Sequence, residues 1–252
     1  MERVNILGVG VSAINMPMAL ETIDIWIRTG KTHYICVSTV HGIMECQRDE
    51  KLRQIHNSAG MVTPDGMPLV WLNWLKGYRH VERVYGPDLM LEVCRESVSK
   101  GYKHYLYGGK AGVAELLSKK LTELFPGLLI AGAYSPPFRP LTIEEDQAVV
   151  DQINASGANI VWIGLGAPKQ ERWMAEHVDT LCFPVLIGVG AVFDYHSGVK
   201  RQAPRWMQRS GLEWLFRLLS EPVRLGPRYL INIPVFLFLI LLQLSGIKKF
   251  KI

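Results

Sequence analysis

Short apolar segments alternate with longer segments of helical periodicity along most of the chain, and this alternation constrains the fold more than any other feature. Four apolar segments are rich in β-branched and aromatic residues: HYICVST (33–39), KHYLYGG (103–109), ANIVWIGLG (158–166) and FPVLIGVG (183–190). Strands that alternate with helices in this way are typical of a mostly parallel sheet with helices on both faces. The sequence therefore predicts an α/β fold.

In such a sheet, ligands bind at the edge where the strands have their carboxyl ends. We expect four residues, each at the end of an apolar segment, to lie at that edge: Thr39, Gly108, Gly164 and Gly188. Two of the intervening segments are predicted as single helices, residues 43–56 and residues 141–157. Thr142 is the expected cap of the second helix, because acidic residues follow it in the first turn.

Charge is distributed unevenly along the chain. From Val199 to Ile252 there are ten Lys or Arg residues against two Glu residues, which gives +8, and since the whole chain carries +5, residues 1–198 carry −3. A basic tail on a mildly acidic body indicates an anionic partner, such as nucleic acid, anionic lipid or a diphosphate. We therefore divide the chain into an α/β domain (1–198) and a helical appendage (199–252).

The end of the appendage is strongly apolar. The 14-residue segment INIPVFLFLILLQL (231–244) is interrupted by Asn232 and Pro234, whereas about 20 apolar residues are needed to span a bilayer. We predict a segment that lies in the membrane interface with basic anchors, and a terminal helix of the core is the alternative. Pro222 and Pro227 are expected to break the preceding helix into segments.

Cysteine and histidine usage favours a cytosolic protein without a metal site. The four cysteines show no CxxC spacing, the seven histidines form no ligand spacing such as HExxH, and no Asp-x-Asp motif occurs. The N-terminal residues lack the basic and apolar regions of a signal peptide. We therefore expect reduced thiols, most of them in the core.

One carboxylate lies inside the otherwise apolar stretch MVTPDGMPLVW (61–71). Pro64 and Gly66 flank Asp65, so the chain turns there, and a surface turn would explain the acid because Pro-Asp-Gly is ordinary turn chemistry. A base held in a cleft is the alternative, because burial among the apolar neighbours would raise its pKa.

A second motif, GVGVSA (8–13), matches the loose dinucleotide-binding pattern G-x-G-x-x-A. The apolar segment before it is short, and the next strand is not followed by the acidic residue that would bind a ribose. A hairpin turn is therefore the default interpretation, and an NAD-dependent oxidoreductase is kept as an alternative function.

Further candidates lie near the predicted strand ends. GLGAPKQERWM (164–174) favours a phosphate site at a helix start, with Gly166 allowing close approach, although a plain helix entry explains it equally well. Asp194 could bind a sugar or base, or cap a turn, and Arg83 could hold a diphosphate, or form a surface ion pair. His41 is the one histidine that we single out, because it follows a strand end.

Six blocks, in order, resemble the WecG/TagA/CpsF glycosyltransferases (glycosyltransferase family 26): TVHGIMECQRD, TPDGMPLVW, RVYGPDLM, GAPKQERWM, GVGAVFDYHSG and GLEWLFRLLSEPVR. The resemblance extends from about Val4 to Arg228. It implies a Rossmann-like core, with an appendage that closes the site and touches the membrane. It also implies inverting, metal-independent transfer from a UDP-sugar to a polyprenyl-diphosphate-linked acceptor, at the cytoplasmic membrane face, in cell-surface polysaccharide synthesis. No cofactor and no nucleic-acid partner are implied, and self-association is compatible with it.

Carried onto this chain, the resemblance implies that Asp65 is the catalytic base and that Thr39 and Gln170 are active-site polar residues. It implies diphosphate contacts from Arg217 and Arg224 and nucleotide-sugar contacts from Arg83 and Asp194. His41, Gly109 and Gly166 are further expected substrate contacts, because they lie near predicted strand ends. Family members commonly have Asn at the position of His41, so the donor is left open between a hexose and an N-acetylhexosamine. A non-catalytic membrane adaptor is the third functional alternative.

Overall fold

The computed structural model describes residues 1–182 and 185–252, without the side chains of Arg224, Pro227 and Arg228. The strands are β1 (Arg3–Ile6), β2 (Val9–Ser12), β3 (His33–Ser38), β4 (Met61–Pro64), β5 (Lys103–Gly108), β6 (Leu129–Tyr134), β7 (Ile160–Gly164) and β8 (Val185–Gly188). The helices are α1 (Met16–Thr29), α2 (Val40–Arg48), α3 (Glu50–Ser58), α4 (Met67–Leu75), α5 (Gly86–Lys100), α6 (Val113–Leu124), α7 (Ile143–Ser156), α8 (Lys169–His177), α9 (Val192–His196), α10 (Arg205–Arg209), α11 (Glu213–Ser220) and α12 (Pro222–Leu244).

A parallel sheet forms the centre of the molecule. Within the described residues it has six strands in the order β4-β3-β8-β7-β5-β6. Side chains alternate between its faces, so that Ile160 and Trp162 belong to one hydrophobic core and Val161 and Ile163 to the other. Helices α1, α5, α6 and α9 cover the first core, and α2, α3, α7 and α8 cover the second. The predicted α/β fold is confirmed.

The sheet has a crevice at its carboxyl edge. Strands β3 and β8 are neighbours, but the chain leaves β3 towards α2 on one face and β8 towards α9 on the other. Diverging connections of this kind open the crevice in which α/β sheets bind ligands. The strand ends predicted to lie there are confirmed, because Thr39 directly follows β3, and Gly108, Gly164 and Gly188 end their strands.

Of the two helices predicted from single segments, one is confirmed and one is wrong. Thr142 caps α7 in a capping box with Glu145. Residues 43–56, however, contain two helices, because the backbone of Asp49 is extended and its side chain accepts a hydrogen bond from the Leu52 N–H at 3.0 Å. Asp49 thus starts a new helix in the middle of the predicted one.

The glycine motif near the N-terminus forms a hairpin. Strands β1 and β2 pair antiparallel, outside the central sheet, and Leu7 and Gly8 turn the chain with positive φ angles. A Cβ on Gly8 would lie 2.9 Å from the carbonyl oxygen of Lys251. The default interpretation is confirmed, and because the motif does not join a parallel strand to a helix, its geometry gives no support to the dinucleotide alternative.

The last helix is longer than predicted and packs against the core. Helix α12 continues through positions 227 and 234, so the predicted break at Pro227 is wrong. Phe236 and Ile240 are buried in the second core. Gln243 accepts a hydrogen bond from the Leu7 N–H and donates one to the Asn5 carbonyl, both at 3.0 Å. One face of α12 therefore packs into the core, as the alternative interpretation of a terminal core helix predicted.

The opposite face of α12 is apolar and exposed, with Leu230, Leu237, Phe238 and Leu241 each more than half exposed. Among residues 1–182 and 185–252, no helix combines the length and the apolar character needed to cross a bilayer. Of the four free cysteines, Cys182 is exposed and the others are buried, as expected.

Candidate active site

Asp65 lies at the carboxyl edge of the sheet, directly after β4. Its N–H donates to the carbonyl of Ser38 on the neighbouring strand at 3.0 Å, which fixes the turn against β3. The Asp65 side chain is only 11% exposed, so the structure supports the cleft interpretation and not the surface turn. Burial raises the pKa of Asp65 to about 6, although the charges of Arg83 and Arg217 lower it and that of Glu213 raises it.

Arg83 joins Asp65 to the appendage. Its Nε donates to the carbonyl oxygen of Asp65, and its Nη2 lies 3.4 Å from Asp65 Oδ1 and 2.6 Å from Glu213 Oε2. Its Nη1 donates to the carbonyl of Gln208 at 3.2 Å, and its guanidinium lies 3.9 Å above the ring of Tyr85. The arginine predicted to hold a diphosphate thus contacts the candidate base and both α10 and α11.

Arg217 brings a second cation to this site from α11. Its Nη2 lies 2.6 Å from Glu213 Oε1, one helical turn earlier, and its guanidinium lies 5.6 Å from the ring centre of Tyr195. Its Nε is buried without a hydrogen-bond partner among the described residues. The structure therefore brings Arg217 together with Asp65 and Arg83, whereas the Arg224 side chain lies outside the described residues.

A cleft of about 340 Å³ lies between α2, the connection from β7 to α8, and α12. His41, Pro168 and Asn232 line it, and His41 Nδ1 is 3.4 Å from Asn232 Nδ2 and 3.7 Å from Glu45 Oε1. A smaller cavity beneath the cleft is lined by Thr39, which precedes α2 without capping it through its side chain. The predicted residues Thr39 and His41 are thus neighbours at one cavity.

Gln170 supports the loop that borders the cleft. It is buried, its Oε1 accepts from the Gly166 N–H at 3.2 Å, and its Nε2 donates to Glu171 Oε1 at 3.0 Å. These bonds orient the loop, and a catalytic role for Gln170 stays a prediction. Glu171 Oε2 and Ser38 Oγ are buried without a partner among the described residues, and both residues line the smaller cavity.

The two glycines predicted to contact substrate differ in their surroundings. Gly109 donates to the Gly164 carbonyl at 3.0 Å, and a Cβ there would lie 2.9 Å from atoms of Val113. Packing alone therefore requires a glycine at this position. Gly166 has a φ of +78° and nothing within 4 Å of the place where a Cβ would be, so it faces open space.

Asp194 is linked to the appendage through a lysine. Its side chain is 17% exposed, and Lys200 Nζ lies 3.3 Å from Asp194 Oδ2 and 3.0 Å from Glu221 Oε1, at the start of α12. The structure thus places Asp194 in an ion-pair chain, and its contact with a nucleotide sugar stays a prediction.

Sequence reasoning missed two members of the cluster around Asp65. Glu213 accepts from both arginines, and Tyr85 O–H donates to Glu213 Oε1 at 3.2 Å. The spacing of Glu213 and Arg217 by four residues was a signal for a helical ion pair, but nothing in the sequence joined this pair to Arg83. In the described part of the chain, no three His, Cys, Asp or Glu side chains converge as a metal site would require.

Comparison with known proteins identifies the family. The model of the glycosyl transferase WecG/TagA/CpsF family matches residues 4–249. The chain belongs to this family. A relative from Bacillus subtilis (strain 168), named N-acetylglucosaminyldiphosphoundecaprenol N-acetyl-beta-D-mannosaminyltransferase, is 28% identical over 244 residues, which cover 94% of this chain and 93% of the relative. The chain is therefore a glycosyltransferase, as the resemblance predicted, and the alternative of a non-catalytic adaptor is not supported.

Proposed function

We propose that this WecG/TagA/CpsF-family enzyme transfers a sugar from a UDP-sugar to a polyprenyl-diphosphate-linked sugar, with inversion at the anomeric carbon and without a metal ion. The observation that carries the proposal is the Asp65 carboxylate, which is buried at the ligand-binding edge, has a pKa of about 6, and contacts Arg83. The name of the Bacillus subtilis relative supports N-acetylglucosamine on an undecaprenyl diphosphate as the acceptor class.

Asp65 acts in this proposal as the general base. With a pKa of about 6 it is ionised at neutral pH and still basic enough to accept a proton in the transition state. The acceptor hydroxyl passes its proton to Asp65 while its oxygen forms a bond to the anomeric carbon. The bond from that carbon to the UDP oxygen breaks on the opposite face, and its electron pair leaves with UDP, so the configuration inverts.

Arginines stabilise the charge that develops on the leaving UDP. Arg217 supplies a guanidinium whose Nε has no partner among the described residues, and Arg83 lies between Asp65 and Glu213. Charge-assisted hydrogen bonds from guanidinium to phosphate are strong and directional, and they strengthen in a site from which water is excluded. Closing the appendage over bound substrate would exclude that water and limit hydrolysis of the donor.

The donor sugar is left open in the proposal. The name of the Bacillus subtilis relative concerns N-acetylmannosamine, but His41 lines the cleft here, where family members commonly have Asn. The ring nitrogen of His41 lies beside Asn232 of α12. Residues of both the sheet edge and the appendage therefore line the cleft. We therefore propose a hexose or an N-acetylhexosamine.

The exposed apolar face of α12 is the proposed membrane contact. Leu230, Leu237, Phe238 and Leu241 lie on it, and Lys248, Lys249 and Lys251 follow the helix. Apolar side chains flanked by cations are typical of helices that lie in the interface of anionic bilayers. The same helix packs beside the cleft, so a lipid-linked acceptor could reach the site from the membrane surface.

The test is a donor screen with product analysis. UDP-glucose, UDP-GlcNAc, UDP-ManNAc and UDP-hexuronates are each incubated with a short polyprenyl-diphosphate GlcNAc, with and without EDTA. We expect one donor to give a disaccharide of inverted configuration, measured by mass spectrometry and NMR, with or without EDTA. Absence of product from every donor would contradict the proposal.

The role of Asp65 is tested with the active donor. Asp65→Asn should reduce turnover by about 10²–10⁴-fold while UDP-sugar binding, measured by thermal shift, is retained. The control Asp179→Asn alters an exposed acid and should leave turnover unchanged. Turnover of Asp65→Asn within a few-fold of the wild type would exclude this residue as the base.

A further inference from the structure

Glu213 is the acid at which the appendage meets the core. Its Oε2 accepts from Arg83 Nη2 at 2.6 Å, and its Oε1 accepts from Arg217 Nη2 at 2.6 Å and from Tyr85 O–H at 3.2 Å. Glu213 is only 8% exposed. Both carboxylate oxygens are therefore occupied in a buried position, and each contact is short enough to fix the geometry.

These contacts connect α11 to the segment between α4 and α5. Arg217 lies on the same helix as Glu213, whereas Arg83 and Tyr85 lie in the segment between α4 and α5, beside Asp65. A buried carboxylate between two guanidinium groups is compensated only when both are present. Glu213 thus has its partners only when α11 lies on the core, with Arg217 turned towards Asp65.

Arg83 is shared between two carboxylates. Its Nη2 lies 2.6 Å from Glu213 and 3.4 Å from Asp65, so its side chain is bonded more closely to Glu213. If Glu213 lost its charge, the guanidinium would be left to pair with Asp65 alone. A carboxylate paired closely with arginine is a weaker base, because the cation favours its ionised form.

The charged and titratable groups that face Asp65 come from three segments. Arg83 and Tyr85 precede α5, Glu213 and Arg217 lie on α11, and Tyr195 lies on α9. Burial raises the pKa of Asp65, and the negative charge of Glu213 raises it further, against the two arginines.

We propose that Glu213 is a positioning residue for the transfer reaction, which docks α11 so that Arg217 faces the reacting groups and holds Arg83 back from the Asp65 carboxylate. The inference rests on the proposed function, in which Asp65 is the base. Glu213 need not touch the substrate in this role, because it acts through Asp65, Arg83 and Arg217.

The test compares Glu213→Gln with the wild type across pH. The base is active when ionised, so kcat/KM of the wild type should fall as pH drops below about 6. Removing the charge of Glu213 lowers the pKa of Asp65, so this acid limb should move to lower pH. At neutral pH, kcat/KM should fall by about 10- to 100-fold because Arg217 is misplaced. Arg83→Gln should move the limb in the opposite direction.

Controls separate this role from a purely structural one. Glu176→Gln changes an exposed acid on α8 and should leave both rate and pH profile unchanged, and circular dichroism should show that Glu213→Gln is folded. A rate loss with an unshifted acid limb, an unchanged rate, or a rate increase would each overturn the proposal. Near-normal turnover of Asp65→Asn would instead show that the proposed base, and not the positioning role alone, is wrong.

Discussion

The sheet and helix α11 of the appendage contribute to one site but are held in place by different interactions. Around the sheet, side chains such as Trp162 and Ile187 are fully buried. Arg83 next to Asp65 makes polar contacts with both Gln208 of α10 and Glu213 of α11. The sheet edge is therefore fixed by packing, whereas α11 is held at the site by charged contacts that a diphosphate could also engage.

The first prediction removes the cation that the appendage contributes. Arg217→Ala should reduce turnover by about 10²–10³-fold, because the charge on the leaving UDP would then lack its guanidinium partner. The sheet should stay folded, since Arg217 lies outside both hydrophobic cores, and any loss of stability should be confined to α11, where Glu213 loses one of its two guanidinium partners. Turnover at saturating donor and thermal unfolding would be measured together.

Arg209→Ala is the matched control for this prediction. Arg209 is an exposed arginine on α10, close in sequence but not among the contacts of the Asp65 cluster. Its removal should leave turnover within about twofold of the wild type. Equal losses of turnover in both variants would mean that the appendage acts through its overall positive charge. The specific role of Arg217 at the site would then be wrong.

The second prediction uses two phenylalanines of α12 that face opposite ways. Phe236 is 4% exposed and packs on the core, whereas Phe238 is 60% exposed. Phe236→Ala should lower the free energy of unfolding by about 3 kcal/mol. Phe238→Ala should leave it nearly unchanged but weaken binding to anionic vesicles by about 10- to 150-fold, because a phenylalanine that enters the bilayer contributes roughly 1.5–3 kcal/mol.

Urea unfolding and vesicle sedimentation distinguish the two variants. Unchanged vesicle binding by Phe238→Ala would mean that this face of α12 is not the membrane contact. The pair is a better test than deletion of residues 231–252, since that deletion would also remove Phe236 and Ile240 from the core and Gln243 from the hairpin.

The sequence predicted the sheet well because burial leaves a local pattern. Four apolar segments, three of them ending in glycine, marked strands β3, β5, β7 and β8 and their carboxyl edge, and the turn at Asp65 placed an acid there. The split at Asp49 and the continuity of α12 were not predictable in this way. The split depends on one side chain, Asp49, which caps the start of α3 directly after α2. In α12, the core contacts of Phe236 and the hydrogen bonds of Gln243 outweigh the cost of about 3 kcal/mol for a proline inside a helix.

The composition of the site was harder to predict than its position. Glu213 and Arg217 could be paired by helical spacing, but the contact of Glu213 with Arg83 joins residues 130 positions apart. Such a contact has no periodic signature, because it depends on where α11 lies on the folded core. The family resemblance named Asp65, Arg83 and Arg217 individually, and only the structure brought them together with Glu213.

The third prediction concerns the cost of keeping Asp65 basic. Burial raises the pKa of Asp65 from 3.8 to about 6, so the ionised form is less favourable in the folded than in the unfolded protein. The ionisation of Asp65 therefore does not lower the free energy of unfolding below pH 3.8, lowers it progressively between pH 3.8 and 6, and leaves it reduced above pH 6. The reduction corresponds to at most about 3 kcal/mol.

Asp65→Asn should accordingly be more stable than the wild type at pH 7.5, and its advantage should shrink as the pH is lowered from 6.5 to 4.5. Arg83 keeps Glu213 as its partner in this variant, so no charge is left unpaired. Urea unfolding at several pH values measures the difference, and Asp179→Asn should show no such trend. If Asp65→Asn proved less stable at pH 7.5, the stabilisation from the ion pair with Arg83 would exceed the cost of burying the Asp65 carboxylate. The sheet edge, like α11, would then depend on charge pairing.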